Sequence, residues 1–111
     1  MIQVTTLIDA KTFLEHFNNV IKEKLGTGWS LDEEGDYKPH YSDKGWMRPK
    51  LVDDRTVIFC YLQKRDRDIT NYSYSSYHCN LAEVLLRFLD KEMVDLYISP
   101  MLTDDDIYKI R

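Results

Sequence analysis

Three histidines, two cysteines and nineteen acidic residues are the groups through which this 111-residue chain could make or break bonds. His16, His40 and His78 lie far apart, and no HxxxH or CxxC spacing gathers them into a zinc ligand set. His78 and Cys79 are neighbours, but adjacent side chains of an extended chain leave on opposite faces, so adjacency makes no nucleophile–base pair. Cys60 falls in the middle of an apolar run and reads as a small buried side chain. Neither cysteine carries a local signature of a lowered thiol pKa. No metal and no cofactor is therefore expected. A catalytic site would have to be assembled only in the fold, for example from His78 with Asp68 or Glu83, and such a small enzyme is the third reading of the chain.

Among the acids, Asp32, Glu34 and Asp36 alternate as they would at the start of a calcium loop. Tyr37 stands where that loop requires Gly, and Asp43 where it requires a bidentate Glu. A solvated turn is the expectation instead. Asp53 and Asp54 read as a turn, and Asp104, Asp105 and Asp106 as acids complementing the dipole of a short terminal helix capped by Thr103. Phosphate chemistry has no support: Gly26 and Gly28 follow a helix rather than precede one, and no GxGxxG or P-loop is present.

Charge is unevenly spread. The net charge is -4, yet residues 1–36 hold three basic and seven acidic side chains, 37–67 eight and four, and 68–111 four and eight. The basic centre, with Lys38, Lys44, Arg48, Lys50 and Arg55 beside Tyr41 and Trp46, could join phosphate contacts to stacking. Acids interrupt it at Asp43, Asp53 and Asp54, so nucleic-acid binding through residues 38–67 is the second reading. The first comes from "DITNYSYSSYHCN", Asp68 to Asn80, where tyrosine alternates with serine as in antibody binding loops. Read as a strand over Ile69–Tyr77, it places Tyr72 and Tyr74 on one face. Packed inward, the rings lie beneath helices. Turned outward, they join Tyr61 in an aromatic ladder rimmed by Arg65 and Arg67, with the character of an interaction hot spot.

These groups need elements to hold them. Met1–Leu7 is β-prone. Asp9 caps a helix over about 10–25, whose Phe13, Leu14, Phe17, Val20, Ile21 and Leu25 form one stripe, stopped by Gly26. Short strands follow: Trp29–Glu33, then a segment that Pro39 demotes to an edge or loop, then "WMRPKLV" with Pro49 at its edge. "TVIFCYLQK" is apolar on both faces and should be central in its sheet. After the tyrosine strand, Asn80 with Glu83 caps a second helix over about 81–91. In "MVDLYIS", Val94, Leu96 and Ile98 point inward. The order predicts a single α+β domain over 1–111, an antiparallel sheet of four to five strands with two main helices packed on one face.

The reading that ties these together is a small acidic, non-enzymatic binding protein covering a partner's surface, as an inhibitor, immunity-type or accessory factor. Asp32, Glu33, Glu34 and Asp36 would face a basic protein partner. With no signal peptide, no apolar stretch of membrane-spanning length and two free thiols, the expected location is cytoplasmic, without a membrane partner. The chain would be a monomer, or a homodimer paired through an exposed edge near 37–50.

Overall fold

The computed structural model describes residues 1–63, 70–100 and 106–108. Arg65, Arg67, Asp68 and Thr103 to Asp105 lie outside the described residues. β1 (Ile2–Thr6) leads into α1 (Ala10–Glu23), then β2 (Trp29–Leu31), β3 (Tyr37–Pro39), β4 (Gly45–Asp53), β5 (Thr56–Gln63), α2 (Asn71–Leu89), β6 (Met93–Ile98) and the two-residue β7 (Ile107–Tyr108). The class is α+β, as the sequence predicts. Six strands run in the order β2-β3-β4-β5-β1-β6, each antiparallel to its neighbours, rather than four to five. β7 runs parallel to β5 at Leu62 and Gln63, beyond Phe59 where β1 begins.

α1 forms where the sequence marks it. The Asp9 side chain accepts from the Thr12 amide at 3.3 Å, and the Ala10 amide donates to the Asp54 carbonyl, tying the helix start to the β4–β5 turn. Asp53 accepts from the Arg55 amide at 2.9 Å, which holds its carboxyl below the usual range, so this acid pair is spent on a turn. Phe13, Phe17 and Ile21 are buried on one stripe, each contributing roughly 2 kcal/mol through the water it leaves. They pack with Ile2, Val4, Val57, Phe59 and Tyr61 on one face of the sheet, where Leu81, Val84 and Leu85 of α2 join them. On the other face of β5, Ile58, Cys60 and Leu62 are also buried, which fits the central position expected of that strand.

The tyrosine stretch is a correction. Residues 71–77 are not a strand but the first two turns of α2, and Asn80 lies inside the helix rather than at its cap. The cap is Thr70, whose hydroxyl accepts from the Ser73 amide at 3.0 Å. Tertiary packing overrides the β propensity of tyrosine: Ser73, Tyr74, Tyr77, His78, Leu81, Val84 and Leu85 recur every three to four residues and are all buried. Two smaller corrections concern strands. β6 carries a bulge between the Asp95 and Met93 pairings, which turns Val94 outward to 58 % exposure instead of inward. Ile107–Tyr108, expected in a terminal helix, is extended.

Candidate interaction face

The side chains proposed from sequence as one aromatic ladder are dispersed by the helix. Two residues on a helix are about 200° apart, so Tyr72 and Tyr74 cannot share a face. Tyr74 is 6 % exposed and Tyr72 79 %. Tyr61 is wholly buried. The outward ladder of Tyr61, Tyr72 and Tyr74 is therefore not formed, and of the three only Tyr72 reaches the surface.

The buried rings instead build a polar seam between α2 and the sheet. Tyr61 donates to the Gln63 Oε1 at 2.7 Å. The Tyr77 hydroxyl donates to Ser42 Oγ at 2.8 Å and accepts from the Gly45 amide at 3.0 Å. Tyr74 bonds Ser99 and stacks on His78 with centroids 3.9 Å apart. Burial, then the nearby Tyr77 and Tyr41, raises the Tyr61 phenol above its ordinary value. His78 lies 2.6 Å through Nδ1 from the Tyr74 carbonyl, so Nδ1 carries the proton, while the buried Nε2 has no hydrogen-bond partner among the described residues. Burial, reinforced by the N-terminal ammonium, lowers the His78 pKa to about 4. This seam holds neutral phenols and a neutral imidazole at neutral pH. Glu83 is on the surface, bonded to Arg87 at 2.6 to 3.1 Å, so His78 and Glu83 are not brought together.

The acidic group is divided in the same way. The Asp32 side chain accepts from the Glu34 and Asp36 amides at 2.9 and 3.0 Å, folding the β2–β3 turn. Asp36 is wholly buried and takes a bidentate bond from Arg48 at 2.8 and 2.9 Å. That pairing raises the Arg48 pKa further. Of the four acids, Glu33 and Glu34 are exposed, and Glu34 lies 3.9 Å from the Arg48 guanidinium. Among the described residues no group of three or more His, Cys, Asp or Glu could hold a metal ion.

What α2 does present outward is a stripe that the strand reading hid. Tyr72, Cys79 and Leu86 stand seven residues apart, in register on one face, all exposed. Cys79, Ala82, Glu83, Leu86 and Arg87 border a groove of about 530 Å³ whose floor reaches Ile98 of β6. β6 is the last strand of the sheet, and Val94 and Tyr97 on it are 58 % and 55 % exposed. An apolar helix stripe thus adjoins a strand edge that has no strand neighbour among the described residues. A heptad count over residues 72–86 was the signal available in the sequence. Comparison with family models, curated proteins and solved structures gave no match for this chain.

Lys38, Trp46, Arg48 and Lys50 also share a face. Lys38 precedes Pro39 on β3, and the alternation of β4 sets Trp46, Arg48 and Lys50 opposite to Met47. They lie on the side of the sheet away from the helices, with Arg48 committed to Asp36. No described helix is long and apolar enough to cross a membrane.

Proposed function

We propose that this chain is a small non-enzymatic binding protein that acts by covering a macromolecular partner, in the manner of an inhibitor, immunity-type or accessory factor. The observation that carries the reading is the outer face of α2 set beside the β6 edge. Apolar side chains left exposed in a row, bordered by the Glu83–Arg87 pair, have the make-up of an interface core with a polar rim. Tyr72 at one end is the side chain type that dominates hot spots. The acidic part of the reading narrows to Glu33, with Glu34 beside Arg48, since the Asp32 side chain serves the turn and that of Asp36 takes Arg48. We place the protein in the cytoplasm, with Cys60 and Cys79 as free thiols.

The test is affinity capture by the intact protein followed by mass spectrometry, run beside Tyr72→Ser and Leu86→Glu. A stoichiometric protein partner captured by the wild type and lost from both variants is the expected result. Capture unchanged in both variants would remove the face from the account.

A second reading, nucleic-acid binding, is favoured by one observation: Lys38 and Lys50 lie with Trp46 on the sheet face opposite the two helices. Its discriminator is salt. Oligonucleotide affinity carried by phosphate contacts falls steeply between 50 and 200 mM salt, on the order of a thousandfold for six contacts. The protein-binding reading expects no such affinity.

A further inference from the structure

A strand edge is recognised by another strand, and apart from the two-residue β7 three stretches of this sheet lack a strand neighbour among the described residues. β2 is one, with three residues. The outer half of β4 is the second: β3 meets it only at Tyr37–Met47, and beyond that come Pro49, Lys50 and a register shift between Leu51 and Asp53. Proline, lysine and a bulge are the devices by which an edge is blunted. The homodimer expected near 37–50 meets those obstacles. β6 is the third, and its run from Asp95 to Ile98 is regular, with no proline before Pro100.

The direction of the β6 backbone follows from its ladder with β1. The Ser99 amide donates to the Met1 carbonyl, and the register pairs Gln3 with Tyr97 and Thr5 with Asp95. In an antiparallel ladder hydrogen-bonded pairs alternate, so Tyr97 and Asp95 turn their N–H and C=O groups toward β1. Leu96 and Ile98 turn theirs away from the sheet.

That geometry leaves few ways for the edge to pair with itself. A two-fold axis between residues would set an outward group against an inward one. An axis at Asp95 would oppose two carboxylates, an axis at Leu96 would draw the bulged Val94 into the ladder, and an axis at Ile98 would ask Pro100 for an amide it lacks. An axis at Tyr97 forms two hydrogen-bonded pairs before Val94 and Pro100 are reached, where an axis at Leu96 or Ile98 forms only one. It leaves Val94 and Pro100 facing each other just beyond the ends of the ladder. Leu96 of each copy exchanges backbone bonds with Ile98 of the other, and Asp95 faces Ser99 rather than its own counterpart. The two Tyr97 rings meet in the close, non-hydrogen-bonded position that favours aromatic pairs.

We propose that two copies of this chain join through their β6 edges, antiparallel about a two-fold axis at Tyr97, each covering the other's groove of Cys79, Ala82, Leu86 and Ile98. This rests on the reading of the α2–β6 face as a protein interface, and it names the occupant as a second copy. An isologous contact closes on itself, so assembly stops at two.

The experiment is analytical ultracentrifugation of the full chain at about 100 µM, a concentration that populates complexes of micromolar Kd. The expected mass is twice the 13.3 kDa of one chain. Tyr97→Glu sets two charges against each other at an exposed position, and should sediment as a monomer with an unchanged melting temperature. Tyr97→Cys in a Cys79→Ser background should form a disulfide-linked dimer under mild oxidation, whereas Asp95→Cys in the same background should not. A wild type that stays monomeric, with no Tyr97→Cys cross-link, overturns the proposal. If Leu86→Glu then still abolishes capture of a different protein, the face is an interface for that protein and only the second copy is excluded. If it abolishes nothing, both readings fail together.

Discussion

Tyr72 and Tyr74 are two positions apart, and their roles divide on that spacing. Tyr74 is buried, bonded to Ser99 and stacked on His78, so Tyr74→Ser should cost about 3 kcal/mol, read as a lowered denaturant midpoint at constant m value. Tyr72→Ser should leave stability within about 0.5 kcal/mol and change only binding. His78 makes stability depend on pH. Its pKa is lowered from 6.5 to about 4 in the folded state, so between those values the unfolded chain binds the extra proton. The contribution is fully present above pH 6.5 and is lost as pH falls toward 4, amounting to roughly 3 kcal/mol. His78→Phe keeps a ring against Tyr74 and should flatten that segment of the stability–pH curve, measured by urea melts at stepped pH.

At the scale of elements, the β4–β5 pairing has a place with no room for a side chain. A Cβ on Gly45 would stand 2.1 Å from the Leu62 carbonyl oxygen and 3.2 Å from the Tyr61 hydroxyl. Gly45→Ala should cost about 3 kcal/mol and free the Tyr77 hydroxyl from the Gly45 amide, measurable by thermal denaturation and by the Tyr77 hydroxyl resonance. Arg48→Met takes the bidentate partner from a buried Asp36 and should cost about 2–3 kcal/mol, with Asp36→Asn in the same background recovering part of it.

Elements also show what could be read in advance. Asp9, the Phe13–Phe17–Ile21 stripe and the two-faced apolarity of β5 each act locally, and each appears where expected. The tyrosine stretch differs because β propensity and period 2 over the nine residues 69–77 are local signals, whereas the period of three to four emerges only when Tyr74 and Tyr77 are counted together with Leu81 and Leu85. Asp32 and Asp36 misled for another reason. Whether a carboxylate faces solvent or an arginine twelve residues away is decided by the strand register, which the chain does not state locally. The β6 bulge belongs with these, since it arises from how β1 and β6 meet.

For the whole molecule, the described side chains able to do proton or nucleophilic chemistry are largely spent on architecture: His78 on a helix carbonyl, His16 on Glu92 at 2.6 Å, Asp36 on Arg48 and Asp53 on a turn. The surface left over carries Tyr72, Cys79 and Leu86 along α2, beside a β6 edge that has no strand neighbour among the described residues. Hydrogen exchange at the Leu96 and Ile98 amides probes that surface most directly, because both point off the sheet edge. If the face works as an interface, the two amides exchange freely at sub-micromolar concentration and become protected once the face is occupied, by a second copy at about 100 µM or by a captured partner. Tyr97, bonded to Gln3, should be protected throughout. Free exchange of Leu96 and Ile98 at every concentration and with every captured partner would contradict the account.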